Sequence, residues 1–77
     1  MTKEWHVTIA RYSKKHNAVE YRRVKDFYTV DDGLKFLNKH QNKPIELWHT
    51  KAAELDNPYL AIVETEAYKQ EHKKYTD

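Results

Sequence analysis

Residues Trp5 to Lys25 alternate between apolar and polar side chains in the pattern that is typical of a β-hairpin. In the first half of this stretch, the positions expected on one face of a strand are Trp5, Val7, Ile9 and Arg11. The polar segment 13–17 predicts the turn, because Asn17 tolerates the left-handed backbone that hairpin turns often need. Residues 18–25 predict the return strand.

The apolar pattern of the return strand changes phase at Arg22-Arg23. Val19 and Tyr21 share one face under strict alternation, whereas Val24 falls one position out of phase. A β-bulge at Arg22-Arg23 restores the pattern and redirects one arginine. This predicted bulge therefore decides whether the cations of the hairpin face one way.

The segment after the hairpin predicts a helix that begins at Thr29 and covers Val30–Gln41. Its start resembles a capping box in which Asp32 stands in the place of Glu, and its apolar side chains form one continuous arc. Gly33 lies on that arc, where it allows the helix backbone to approach a sheet closely. A second hairpin turning at Asp32 and Gly33 is the alternative, but it does not explain the arc. The helix is expected to end before Asn42-Lys43-Pro44, because the residue before a proline disfavours the helical conformation.

The rest of the chain predicts two strands and two helical segments. Ile45–His49 alternates as a third strand, and Thr50–Leu55 predicts one helical turn before a turn at residues 56–58. The continuous apolar run within Tyr59–Glu64 predicts a central strand that is covered on both faces. Thr65–Tyr75 predicts a weakly docked helix, because it contains no Leu, Ile or Val, and residues 66–77 are expected to fray.

Together these elements predict a single domain over residues 1–77 of the α+β class. We expect an antiparallel or mixed four-stranded sheet in the order β-β-α-β-β-α, with one helix packed on a face. The small core predicted here suggests a homodimer as an additional source of stability. The side chains expected to be buried are Trp5, Val7, Ile9, Val19, Tyr21, Val24, Phe27, Val30, Leu34, Leu37, Ile45, Leu47, Leu60 and Ile62.

Positive charge is concentrated in the hairpin. Residues 1–25 hold seven Lys or Arg side chains and two acidic ones, whereas the remaining residues hold seven and ten. A two-stranded ribbon fits the major groove, its cations can contact phosphates, and aromatic side chains can stack on bases. One interpretation is an edge hairpin that its charges protect from aggregation. The interpretation that we favour is nucleic-acid binding through Arg11, Lys14, Lys15, Arg22, Arg23 and Lys25, with Tyr12 and His16.

The competing functional class is a protein-binding module, either an inhibitor or an adaptor, such as an accessory protein of a mobile element. The part of the chain after residue 28 is acidic, and exposed aromatic side chains anchor many interfaces. Trp48 is expected to point away from Ile45 and Leu47, so it either packs under the C-terminal helix or lies on the surface. The basic hairpin also suits an acidic protein surface. The candidate anchors are Trp48, Tyr68 and Tyr75.

No catalytic or cofactor motif is present, and we expect neither enzymatic activity nor a cofactor. Ser13 is the only serine, cysteine is absent, and one glycine cannot build a phosphate-binding loop. Asp31 and Asp32 are explained by helix capping rather than by acid-base chemistry.

The five histidines show no spacing that is typical of metal ligands, so no metal site is expected. His6 and His49 lie on different predicted strands and could meet across the sheet; otherwise both are expected at the surface or the rim. The sequence has no apolar leader at its N-terminus and no apolar run that would span a membrane. We therefore expect a cytoplasmic protein that does not bind membranes.

Overall fold

A computed structural model describes residues 2–55 and 63–76 of the chain. Four strands form one antiparallel sheet in the order β2-β1-β3-β4. The predicted α+β class and the four-stranded sheet are confirmed, and of the two sheet types that were predicted, antiparallel and mixed, the structure has the antiparallel one. The elements are β1 (Trp5–Ser13), β2 (Ala18–Phe27), α1 (Val30–Lys39), β3 (Ile45–His49), α2 (Thr50–Leu55), β4 (Val63–Glu64) and α3 (Glu66–Thr76).

Helix α1 packs on one face of the sheet, which we call the α1 face. Thr29 caps the helix, because its Oγ1 accepts a hydrogen bond of 3.2 Å from the backbone N–H of Asp32, as the capping pattern predicts. The helix ends at Lys39, two residues before the predicted Gln41. The apolar arc meets alternate side chains of β1 and β3. Their fully buried members are Val7, Leu37, Ile45 and Leu47.

Gly33 allows helix α1 to lie close to strand β3, as predicted. A Cβ atom built on Gly33 would lie 2.6 Å from Cδ1 and 2.9 Å from Cδ2 of Leu47. Leu47 is fully buried, so its side chain has little room to move away. The single glycine therefore sets the separation between helix and sheet.

Helix α3 covers the opposite face of the sheet, which we call the α3 face, so two helices pack on the sheet where one was expected. Thr65 caps α3 by accepting from the backbone N–H of Tyr68 at 3.2 Å, and its hydroxyl donates to the carbonyl of Lys43 at 2.6 Å. Tyr68 is buried against the sheet and supplies the packing contact that an aliphatic residue would otherwise make. On β1, side chains of both faces are buried.

Three side chains expected in the core are exposed instead. Tyr21 is 55% exposed, Val24 is 42% exposed and Val30 is 36% exposed. Tyr21 and Val24 lie on β2, which is an edge strand of the sheet, and Val30 is the first residue of α1. The positions predicted as core residues Leu60 and Ile62 lie outside the described residues, as does the predicted turn at 56–58.

The position of β4 corrects the predicted central strand. Val63–Glu64 pairs with β3 and stands at the end of the sheet, and Val63 is 46% exposed. The apolar run that suggested a central strand lies mostly in residues 59–62, which are outside the described part of the chain. Within residues 2–55 and 63–76, no helix is both long enough and apolar enough to cross a bilayer.

Candidate nucleic-acid interface

A β-bulge in strand β2 divides the cations of the hairpin between the two faces of the sheet. Val7 pairs with Lys25 and Thr8 pairs with Arg23, so Val24 is the extra residue. The bulge thus lies one residue after the predicted Arg22-Arg23 position. An extra residue shifts the alternation by one, which places Arg22 and Lys25 on the same face and Arg23 on the other.

Three of the predicted site residues come together on the α1 face. Arg22 pairs with Ile9, whose side chain packs against the core of this face, and Arg11 follows Ile9 by two positions along β1. The Lys25 ammonium lies 5.5 Å and 5.4 Å from the ring centroids of Phe27 and Phe36. Within the described residues, no ion pair joins these three cations to a carboxylate. Their charges are available to an anionic partner.

Arg11 and Arg22 border an open depression on the α1 face, beyond the sheet area that α1 covers. Its volume is about 270 Å³. Glu20 is its one acidic lining residue and is the cross-strand partner of Arg11. The lining residues are Ile9, Arg11, Glu20, Tyr21 and Arg22.

The turn of the hairpin carries the exposed Lys14 and Lys15. Asn17 adopts the left-handed conformation predicted for it, with φ of 48°, and accepts a hydrogen bond of 3.0 Å from the Tyr12 hydroxyl. His16 lies 3.9 Å from the carboxylate of Glu20. Tyr12 belongs to the α3 face by alternation, and its hydroxyl is engaged in ordering the turn.

Arg23 stands apart from the other candidate cations, in a polar cluster on the α3 face. Its guanidinium lies 3.9 Å from the Asp26 carboxylate and 3.1 Å from Nδ1 of His6. His6 is buried, and its Nδ1–H donates to Asp26 at 2.7 Å. This hydrogen bond lowers the pKa of Asp26, and the charges of His6, Arg23 and Lys3 act in the same direction.

The other ring nitrogen of His6 completes a chain of three residues that the sequence pattern did not reveal. Nε2 lies 2.6 Å from the hydroxyl of Thr50, so Asp26, His6 and Thr50 follow one another as in a hydrolase triad. The backbone N–H of Thr50 already donates to the Glu4 carbonyl, and that of Lys51 donates to Nδ1 of His49. Neither N–H is therefore free to stabilise an oxyanion.

His6 and His49 do not meet across the sheet. His6 pairs with Trp48 and His49 pairs with Trp5, so the two imidazoles lie on opposite faces. His6 is also buried rather than at the rim, because the α3 face is covered. Among the described residues, no group of three or more His, Asp or Glu side chains is arranged to hold a metal ion.

The aromatic side chains proposed for protein binding are largely occupied within the fold. Trp48 is half-buried; its indole N–H donates to Thr8 at 2.8 Å and its ring lies 4.6 Å from that of His6. Tyr68 is 7% exposed, which corrects the expectation that it lies on the surface. The side chain of Tyr75 lies outside the described part of the structure.

Tyr68 belongs to a buried polar group that joins α3 to the sheet. Burial raises the pKa of Glu46, although a hydrogen bond with Tyr68 opposes this shift. Burial and the nearby Glu46 carboxylate raise the pKa of Tyr68. His72 donates from Nδ1 to the Tyr68 carbonyl at 3.0 Å, so its Nε2 accepts from the Tyr21 hydroxyl at 2.7 Å. These contacts are structural, and they anchor α3.

A second cationic feature escaped the sequence analysis because it combines β2 with α1. Phe27 and Phe36 lie with their ring centroids 5.6 Å apart and line a groove of about 280 Å³. Lys35 and Lys39, one helical turn apart, also line it. The i, i+4 spacing of the two lysines on either side of Phe36 was a signal that could have been noticed. The one acidic residue that lines the groove is Asp32.

Comparison of the chain with protein-family models, curated protein sequences and solved structures gives no match.

Proposed function

We propose that this protein is a non-enzymatic nucleic-acid-binding module that contacts phosphates through a basic strip. The basic strip consists of Arg11, Arg22 and Lys25 on the α1 face, together with Lys14 and Lys15 at the turn. The observation that carries the proposal is that Arg11, Arg22 and Lys25 lie on the same face of the sheet, are exposed, and make no ion pair among the described residues. Such cations release counterions from a nucleic-acid backbone when they bind it.

Protection of an edge strand is the main alternative explanation for these charges. β2 is an edge strand, so Arg22 and Lys25 are suitably placed to discourage pairing with another chain. Arg11 lies on β1 beyond Ile9, the last residue of β1 that pairs with β3, so it also borders an unpaired strand edge. Residues 1–25, however, hold seven cations and two acidic side chains, which is more positive charge than edge protection requires. This excess of positive charge favours a binding surface.

The absence of catalysis is part of the proposal. The one arrangement that resembles a catalytic triad, Asp26-His6-Thr50, has its neighbouring backbone donors engaged in internal hydrogen bonds. Its imidazole is buried, and it links β1, β2 and α2 through short contacts. We interpret it as a connection within the fold.

The sharpest test compares Arg22→Glu with Arg23→Glu. The two positions are adjacent, both side chains are exposed, and the two substitutions change the net charge equally, but they lie on opposite faces. We expect Arg22→Glu to weaken binding to a mixed-sequence oligonucleotide by about tenfold and to reduce the salt slope by about 1, while Arg23→Glu has a much smaller effect. Affinity is measured by fluorescence anisotropy over a series of salt concentrations.

Circular dichroism melts establish that both variants fold. If the two substitutions reduced the affinity equally, the nucleic acid would respond to net charge alone. This result would contradict binding through the basic strip. Unchanged binding by Arg22→Glu would also contradict it. If the parent binds no nucleic acid but a pulldown recovers a protein in a manner that depends on Arg22, the protein-binding alternative replaces the proposal.

A further inference from the structure

The groove between β2 and α1 combines exposed aromatic surface with cations. Phe27 and Phe36 are half-buried, so one part of each ring packs toward the core and another part faces the groove. The Lys25 ammonium lies over both rings. Lys35 and Lys39 are exposed on the helix side of the groove. An apolar floor is therefore bordered by the ammonium groups of Lys35 and Lys39, and the Lys25 ammonium lies near the same two rings.

This combination matches the chemistry of an unpaired nucleotide. Single-stranded nucleic acids are held by aromatic side chains on which bases stack and by cations that follow the backbone. A duplex hides the faces of its bases in the helical stack, so it cannot use the rings of Phe27 and Phe36. The volume of the groove, about 280 Å³, is just below the range of roughly 300–1,000 Å³ that is typical of small-molecule sites. One base is an occupant of suitable size.

The groove continues the basic strip. Arg22, Lys25 and Phe27 lie in sequence along the α1 face of β2, because the bulge at Val24 brings Lys25 into line with Arg22. A backbone that follows Arg11 and Arg22 therefore reaches Lys25 and then the two lysines of α1. The strip and the groove together present seven cations and two carboxylates, Glu20 and Asp32.

Asp32 is the one acidic residue that lines the groove, and its position there is not accounted for by a phosphate ligand. A carboxylate repels phosphate, but it accepts hydrogen bonds from the exocyclic amino groups of cytosine and adenine. Asp32 lies in the first turn of α1 and makes no ion pair within the described residues. Its position beside Phe36 suits the edge of a stacked base better than the backbone.

We propose that the protein prefers single-stranded to double-stranded nucleic acid, and that one base stacks in the groove lined by Phe27, Asp32, Lys35, Phe36 and Lys39. This inference rests on the proposed function, since the basic strip supplies the phosphate contacts that lead the strand to the groove.

The test measures binding of a mixed-sequence single strand, as DNA and as RNA, and of the corresponding DNA duplex. The parent is compared with Phe36→Leu, which removes the ring but keeps an apolar side chain, and with Phe36→Tyr, which keeps a ring. We expect the parent to bind the single strand at least tenfold more tightly than the duplex. Phe36→Leu should lose about tenfold in single-strand affinity and leave duplex affinity unchanged, while Phe36→Tyr should resemble the parent.

Two charge-reversal variants and an NMR measurement on the parent make the test independent of any folding defect in Phe36→Leu. Lys39→Glu should weaken single-strand binding more than Lys69→Glu, which changes the net charge equally at an exposed lysine of α3 that pairs with Glu66. In the parent protein, addition of the single strand should shift the ring resonances of Phe27 and Phe36. The resonances of Thr65, which follows β4 at the other edge of the sheet, should move little.

The outcomes separate this inference from the proposed function. The parent could bind the single strand and the duplex equally well, lose affinity on Arg22→Glu, and show no shift of the Phe36 ring resonances. That result would contradict base stacking in the groove but would agree with phosphate binding by the basic strip. No binding of either nucleic acid would overturn both. Equal displacement by an acidic peptide such as oligoglutamate would show that the groove binds anionic peptides, and it would also overturn the inference.

Discussion

The two faces of the sheet are buried by different means. On the α1 face, aliphatic side chains of β1, β3 and α1 pack together, and Gly33 brings the helix close to Leu47. On the α3 face, the buried side chains include His6 and Thr8 of β1, which bond to partners on other elements. One face depends on shape and apolar burial, and the other depends on completed hydrogen bonds.

A strand face that carries polar side chains can therefore be buried rather than exposed to solvent. A buried polar group is stable when its partners are present and costly when one partner is missing. Thr65 and His6 both meet this condition, because each contacts groups from at least two other parts of the chain. The α3 face therefore specifies its geometry through a few polar contacts, whereas the α1 face does so through volume.

The largest effect is expected where Gly33 and Leu47 meet on the α1 face. Leu47→Ala should lower the free energy of unfolding by about 2–5 kcal/mol because it leaves a cavity, and Gly33→Ala by about 1–3 kcal/mol because it overpacks the contact. The double variant should lose less than the sum of the two, since the smaller side chain makes room for the new Cβ. Urea denaturation of all four proteins measures the coupling.

Asn38→Ala, at an exposed position of the same helix, is the control and should change stability by less than about 0.5 kcal/mol. Additive losses in the double variant would mean that α1 does not approach β3 as closely as described.

A smaller effect is expected from His6→Leu on the α3 face. Leucine is apolar, so the hydroxyl of Thr50 and the carboxylate of Asp26 would each lose one hydrogen bond. At about 0.5–1.5 kcal/mol for each bond, we expect a loss of about 1–3 kcal/mol. His16→Leu, the same change at an exposed turn position, should alter stability by less than about 0.5 kcal/mol. Thermal and urea unfolding measure both. If His6→Leu were as stable as the parent, apolar packing would account for the stability of both faces of the sheet, and the two faces would not differ in how they are stabilised.

The smallest effect is expected from the titration of Glu46. Burial raises its pKa above the ordinary 4.5, so the folded protein retains this proton to a higher pH than the unfolded chain does. Its contribution to stability is therefore fully present below pH 4.5 and is lost as pH rises through the folded pKa. Glu46→Gln removes this loss. The stability of the variant relative to the parent should increase from about pH 4 to about pH 7.

The matched control for this titration is Glu20→Gln, whose side chain is 59% exposed in the parent. Its stability relative to the parent should stay nearly constant over the same pH range. A constant difference for Glu46→Gln as well would show that its carboxyl is solvated in the folded protein.

Much of the fold could be predicted because the relevant signals are local. Alternation identified β1 and β3, Thr29 and Asp32 identified the start of α1, and the single glycine on an apolar arc identified the close approach to the sheet. The bulge was predicted within one residue, from the change of phase between Tyr21 and Val24. Each of these inferences depends on residues that are near one another along the chain.

Local sequence patterns thus predicted the antiparallel hairpin, the capped helix and the concentration of cations in the first 25 residues. The burial of the polar side of β1 follows instead from the fold, because the partners of His6 lie 20 and 44 residues away. The fold likewise decided which cations share a surface. One extra residue at Val24 aligns Arg22 with Lys25, and the packing of α1 brings Phe36 beside Phe27. Contacts between distant parts of the chain leave no periodic signal, so their geometry had to come from the folded protein.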